Sequence, residues 1–470
     1  MNIVKQSLLY RAIAAVAAFF GAQWQKSRLL GLYLVRRRDT DGGAVSALWA
    51  RIWVLIRRVF HALKLDTLTR GSIFAYPAFW CGLTVAATPL IPTMAAAVLA
   101  AVTFFSLFIR YGADASVTPA RHPANRFILL FALLYAVSIF TSVTPAGSLY
   151  GGALQVFFAL FAVAAGASLR TEKQILWTLR AFAVSGALVA AYGVYQYIFG
   201  ASVNVTWFDT TMFSGIGMRV YSTLDNPNVL SEYLLLVIPF SAALIIAEKK
   251  PILKLLFIGC LGVQLLTMAL TFARGGWLGL ILATAVFLVM LDRRFILLGI
   301  VGLVALYFLL PDVIITRLIS IGDLKDGSTN YRLNIWLATL AMLRDFWLVG
   351  IGPGFSAFNS IYPLYSYHAV PAPHAHNLYL QLVCDSGITA LVIFLFFLGS
   401  TFRSLAAGVR ANRDDGFNVF RIAAISALLG FLAQSATDYS FYNYRVTLMF
   451  WAVAGLGIAV SKRKTSALND

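Results

Sequence analysis

Pro373-His374-Ala375-His376-Asn377 leads straight into Leu378-Tyr-Leu-Gln-Leu-Val-Cys-Asp-Ser-Gly387, the first part of an apolar run that continues to Leu398. Such a run is long enough to cross a bilayer, which takes about 20 apolar residues. Two histidines and an amide therefore stand where a polar segment meets a membrane span. The chain has only five histidines, and His368, His374 and His376 fall within nine residues. One reading is a helix cap, with Asn377 or His376 satisfying backbone N–H groups at a helix start. The other is a functional site.

Working outward, the whole chain repeats this pattern. It has 470 residues, of which 60% are hydrophobic and 12% charged. That balance excludes an ordinary soluble domain and predicts an all-α polytopic membrane protein. Apolar runs place about twelve transmembrane helices at 73–89, 92–109, 127–143, 149–168, 175–199, 228–247, 252–271, 276–291, 295–311, 377–399, 418–437 and 445–460. A large extracytoplasmic loop is expected between spans nine and ten. The organisation read from sequence is a basic cytoplasmic or interfacial region at 1–72, spans one to nine at 73–311, the loop with short helices at 312–376, spans ten to twelve at 377–461, and a cytoplasmic tail at 462–470.

The formal net charge of +18 raises the question of nucleic acid, but its distribution argues against it. Residues 1–70 hold twelve Lys/Arg against three acids. Within them, Ala47–Leu65 reads as a basic amphipathic helix lying on the inner leaflet. If this region is cytoplasmic, thirty of the 37 basic residues fall on the cytoplasmic side, as the positive-inside rule requires, and both termini are cytoplasmic. The exceptions are Arg219, Arg274, Arg317, Lys325, Arg332, Arg344 and Arg445. Cys81, Cys260 and Cys384 lie far apart in apolar runs, which suggests neither a disulfide framework nor a zinc site.

Several of these exceptions have neighbours that suggest chemistry. Arg219 precedes Asp225-Asn226-Pro227-Asn228, a turn and helix-start signature, and an arginine beside a helix N-terminus makes an anion site. Arg274 stands in a tight turn with Gly275 and Gly276. It either snorkels to the outer headgroups or clamps phosphate, which guanidinium suits. Arg332 is expected as a salt-bridged loop residue and a further substrate contact. Glu232 and Asp385 are acids inside apolar spans, where charge is costly, and either is expected to hold an arginine. Asp438 and Arg445, close in sequence, are expected to pair. His374 and His376 are two residues apart, so they do not share a helical face, and no metal site or nucleophile triad is expected. What remains is one base, His376, with several arginines, which suits displacement of a phosphate-type leaving group by a hydroxyl.

His376-Asn377, nine further residues and Gly387 resemble the His-Asn signature of the O-antigen ligase and O-antigen polymerase superfamily of bacterial envelope glycan transferases. Ala390 stands where the family has a second small glycine. Gly350-Ile-Gly-Pro-Gly-Phe355, Thr329–Trp336, Thr271–Gly279 and Ser222–Leu230 resemble further family segments. Arg219 sits where the family has an Arg-x-x-x-Leu arginine, although Leu224 follows one residue late. The resemblance covers about residues 73–460.

The resemblance implies transfer of a glycan from a polyprenyl (undecaprenyl) diphosphate donor to an acceptor hydroxyl, with no metal or other cofactor. It implies the bacterial cytoplasmic (inner) membrane, with the active site extracytoplasmic. By position, His376 activates the acceptor, and Arg219 and Arg274 bind the diphosphate. His374, Asn377, Arg332, Asn226, Glu232 and Asp385 are expected as substrate contacts or support. Expected partners are the lipid-linked donor, a glycan or lipid-linked acceptor, membrane lipids and other polysaccharide assembly proteins. The competing reading is a multi-span transporter or flippase. Such proteins carry related halves and helices interrupted near mid-membrane, and the sequence displays neither.

Overall fold

The computed structural model describes residues 54–65, 71–114, 122–200, 218–297, 299, 301–302, 315, 327–411 and 415–462. The chain divides into a small unit, 1–70 with 111–116, and a large one holding the rest. In the small unit, the described part of the expected amphipathic helix is helical over 54–62, and Leu55, Val59 and Leu63 are exposed. Arg57 Nε there donates to the carbonyl of Tyr111.

The large unit is helical: α1 (Pro77–Ala87), α2 (Thr93–Ala113), α3 (Pro123–Phe140), α4 (Pro145–Ser168), α5 (Glu172–Phe199), α6 (Pro227–Ala247), α7 (Pro251–Leu270), α8 (Arg274–Leu291), α9 (Gly327–Phe346), α10 (Phe355–Ile361), α11 (Leu378–Ala411), α12 (Asn418–Gln434) and α13 (Tyr444–Ser461). Proline opens α1, α3, α4, α6 and α7, where its missing N–H costs nothing. Caps finish the job. The His122 ring accepts from Ala124 N–H before α3, Thr171 and Gln174 form a capping box on α5, and Asn443 caps α13.

Nine helices among the described residues are long and apolar enough to cross a membrane, which makes this a multi-pass membrane protein. Twelve spans were expected. The difference has three sources. Helix α1 has 11 residues and α12 has 17, both shorter than any of the nine. The expected span at 295–311 lies mostly outside the described residues, as do residues 201–217, most of 1–70, and the start of the expected loop. What is described of that loop holds α9, α10 and short 3-10 turns.

Helix α6 is the centre of the bundle, buried along almost its whole length and packed by α5, α7, α8, α12 and α13. Between membrane helices, attraction comes from close van der Waals packing, so small residues set the crossings. At the α8–α12 crossing, a Cβ on Gly279 would stand 2.6 Å from the Gly430 carbonyl oxygen.

Helix α11 is broken. Ser386 and Gly387 leave helical geometry, with Gly387 at φ 74°, so residues 378–385 form a short helix of their own. This corrects the expectation of an uninterrupted span. The cause is the chain at 347–351, which packs into the break. Ile351 N–H donates to the Cys384 carbonyl, and Ile388 N–H to that of Trp347. A Cβ on Gly387 would lie 2.0 Å from the Leu348 carbonyl oxygen, so no side chain fits there.

The loops gather at two ends. At one end, Thr223 Oγ1 donates to Pro89 O, Val143 N–H to Ile351 O, Val220 N–H to Leu270 O and Leu378 N–H to Ser435 O. At the other end lie Arg170, Lys249, Lys250, Arg293, Arg294, Arg410 and Lys462.

Candidate functional site

His376 lies at the first of these ends, just before α11. Its backbone takes φ 45°, a left-handed conformation unusual for a side-chain-bearing residue. Such a conformation costs on the order of 1–3 kcal/mol and persists only where neighbours over-determine it. Here the neighbours are identifiable. Its carbonyl accepts from Trp336 Nε1 on α9, at 3.2 Å. Its N–H donates to His374 Nδ1, also at 3.2 Å. Asn377 then caps α11 through Leu380 N–H and donates to the Ala436 carbonyl. The cap reading therefore holds for Asn377.

The His376 ring meets a carboxylate. Its Nδ1 lies 3.1 Å from Oδ1 of Asp438, in the α12–α13 link. The same Oδ1 accepts from Tyr439 N–H at 2.9 Å, and Oδ2 accepts from Asn228 Nδ2 at 3.0 Å. Asn228 in turn accepts from Arg219 at 2.9 Å, and Arg219 Nε donates to the Thr271 carbonyl at 2.8 Å. A chain of side chains thus runs Arg219–Asn228–Asp438–His376. Arg332 approaches the same carboxylate at 4.0 Å.

Burial alone pushes the Asp438 carboxyl up. The His376 hydrogen bond and the charges of His376 and Arg332 outweigh it and hold the group well below its ordinary range. An ionised carboxylate only accepts, so His376 Nδ1 carries the proton of this bond. The other ring nitrogen, Nε2, is then the basic one. The His376 side chain is 19% exposed while Asp438 is 6% exposed, so the histidine is the member of the pair that a substrate can reach.

His374 is the inner histidine. Its ring lies 4.2 Å from that of His376 and stacks on Tyr442 at 5.0 Å. Burial, followed by the neighbouring His376, lowers its pKa to about 3, so it is neutral and accepts from His376 N–H. Two residues apart in a turn rather than a helix, the two rings come together, which the helical spacing argument missed. His374, His376 and Asp438 each present one ligand atom within 4.8 Å of the others. A cation placed there would face the Arg332 guanidinium and compete for the histidine nitrogens that already hold the loop.

Arg274 opens α8 at the same end. Its turn is tied to Arg219 through Thr271, and a Cβ on Gly275 would meet Thr437 Oγ1 at 2.8 Å, one residue from Asp438. The structure thus brings His376, His374, Asn377, Arg219 and Arg332 into one bonded neighbourhood, with the Arg274 turn against it.

Other expectations change. Asn226 caps α6 by accepting from Asn228 N–H, and Asn228 is the amide in the chain to His376. Arg445 pairs with Asp225, not Asp438. Among the described residues, Glu232 and Asp385 hold no arginine. Glu232 accepts from Ser440, and Asp385 accepts from Gln381, Tyr135 and Tyr439. Asp385 supports the site indirectly, because Gln381 also holds Ala375 N–H beside the histidines. Asp438 completes a carboxylate–histidine pair where none was expected. The available signal was an acid at the outer end of an apolar run, on the same face as His376.

No curated protein matches the chain. Residues 257–395 match the family model described as O-Antigen ligase. The matched segment runs from α7 into α11 and holds Arg274, Arg332, His374, His376 and Gly387, while Arg219 and Asp438 lie outside it. That match supports the resemblance to the O-antigen ligase and polymerase superfamily drawn from the His376-Asn377…Gly387 signature.

Proposed function

We propose that this protein transfers a glycan from a polyprenyl (undecaprenyl) diphosphate donor to an acceptor hydroxyl at the extracytoplasmic face of the bacterial inner membrane, without a metal. The observation that carries this reading is the pairing of His376, inside the segment that matches the O-Antigen ligase family model, with Asp438, which Asn228 joins to the buried Arg219. The basic residues gathered at the opposite end support the sidedness, since cations favour the cytoplasmic side.

Nε2 of His376 takes the proton of the acceptor hydroxyl. The acceptor oxygen bonds to the anomeric carbon as the bond from that carbon to the diphosphate oxygen breaks. Both electrons leave with the polyprenyl diphosphate, and Arg219 and Arg274 stabilise its growing charge. Asp438 holds the imidazole in the required tautomer and balances the imidazolium. Attack from the face opposite the leaving group inverts the anomeric carbon. The break in α11 is the one feature shared with the transporter reading. Packing against 347–351 accounts for it, and no observation favours transport.

The test is glycan transfer from lipid-linked donor by purified protein. His376→Ala, inserted normally in membrane, should lose transfer, and wild-type activity should survive excess chelator. Full activity in His376→Ala overturns the assignment of the base, and loss in chelator overturns the metal-free mechanism. In a deletion strain, attachment of single repeat units without long chains indicates a polymerase. Accumulation of unattached lipid-linked polymer indicates a ligase.

A further inference from the structure

We infer that the end of the bundle opposite His376 carries a binding groove for an anionic phospholipid. The groove lies between α1 and α5, with the ends of α2 and α4 at its mouth, and has a volume of about 940 Å³. Its walls are apolar, formed by residues such as Phe79, Leu83, Trp177 and Ala181. Its mouth holds Arg110, Arg170 and Lys173, and no acid is among its described lining residues. This distinguishes it from the neighbouring basic pocket, where two acids, Glu248 (paired with Arg180) and Asp415, share the lining with Lys249 and Lys250.

Two further features fit one occupant. Arg170 Nε donates to the Ala167 carbonyl at the end of α4, which fixes the guanidinium at the mouth rather than leaving it to sweep through solvent. The apolar wall on α1 runs from Tyr76 to Ala86, about 15 Å at the helical rise. That is half of a hydrocarbon core of about 30 Å, the depth of one leaflet. At the inner end, Ser185 Oγ donates to the Ala86 carbonyl and ties α1 to α5. A headgroup phosphate at the mouth, with an acyl chain along the wall, matches both the charge and the length. The inference is independent of the transfer chemistry at His376.

The experiment is native mass spectrometry of the full chain in detergent, with phosphatidylglycerol or phosphatidylcholine added at equal concentration. Phosphatidylglycerol should be retained more strongly. Removing cations at the mouth should weaken retention by about fivefold each, the ordinary effect of one basic residue at an anionic lipid surface. Thus Arg110→Gln, Arg170→Gln and Lys173→Gln together should abolish the preference, and Ala181→Trp, which fills the wall, should expel the lipid. Arg403→Gln with Arg410→Gln, basic residues on a different face of the same end, should leave retention unchanged.

Equal retention of the two lipids would overturn the proposal, as would equal loss in the Arg403/Arg410 variant. Displacement by soluble glycerol phosphate would reduce the site to a headgroup contact and overturn it. So would lipid entry that requires deletion of residues 1–53, because the occupant would then be the chain itself.

Discussion

The two ends of the helix bundle hold charge in opposite ways. At the basic end, Lys249, Lys250, Lys254, Arg293, Arg294, Arg403 and Arg410 are exposed on loops and helix ends. Their effect is collective, a positive surface potential of the kind that attracts anionic lipid. At the histidine end, cations are few and placed. Arg219 is buried and bonded to Asn228 and Thr271, and Asp438 collects His376, Asn228 and the Tyr439 N–H on two oxygens. The basic end has paired cations too, Arg421 with Asp415 and Arg180 with Glu248, but most of its charge is exposed. At the histidine end the placed cations converge on a histidine–carboxylate pair, where the proposed reaction lies. The comparison predicts that substitutions of similar chemical size will have very different consequences at the two ends.

The largest effect belongs to His376. General-base catalysis contributes roughly 10²–10⁴-fold, so His376→Ala should reduce the rate of glycan transfer by about that factor with unchanged membrane insertion. Asp438→Asn comes next. It keeps the shape but removes the charge that sets the imidazole tautomer, and kcat should fall by about 10²-fold or more. Arg219→Lys retains charge but not the planar fork. Its cost should be about 10-fold, read as weaker use of the diphosphate donor. Lys249→Gln with Lys250→Gln should change transfer by less than about twofold, since neither residue is bonded into the site. A large loss there would break the comparison.

Acid stability sharpens it further. The folded chain keeps His374 neutral down to about pH 3, while the unfolded chain protonates it near its ordinary 6.5. Between those values the unfolded state binds more protons, so stability is present at neutral pH and declines as pH falls. Below about pH 4, the ordinary Asp value, the depressed Asp438 carboxyl acts in the same direction. Thermal unfolding in detergent should show the decline, at most about 1.4 kcal/mol per pH unit from His374. His374→Gln should flatten it between pH 6 and 4. An unchanged slope would place the acid sensitivity elsewhere.

Much of this was legible from residues alone. Apolar run length gave nearly every helix, and Pro227 and Asn226 marked the start of α6 because their preferences are local. The twelve-span count is not confirmed where helices are short. Helix α12 has 17 residues but is packed among α6, α8 and α11, so protein rather than lipid covers it. The break in α11 was hidden because its cause, the chain at 347–351, arrives from a distant part of the sequence. The same holds at the site. Asp438 was matched to Arg445, seven positions away, but its partner is His376, 62 positions away. Local pairing rules find caps and turns; they do not find a carboxylate that reaches its histidine only after α11 and α12 have packed.

The most direct measurement is a double-mutant cycle on glycan transfer with His376→Ala and Asp438→Asn, alone and combined. If Asp438 acts through the imidazole, the double variant should be no slower than His376→Ala by more than about twofold, because residues that act as a unit are non-additive. Losses that multiply would contradict the account, because Asp438 and His376 would then serve transfer independently.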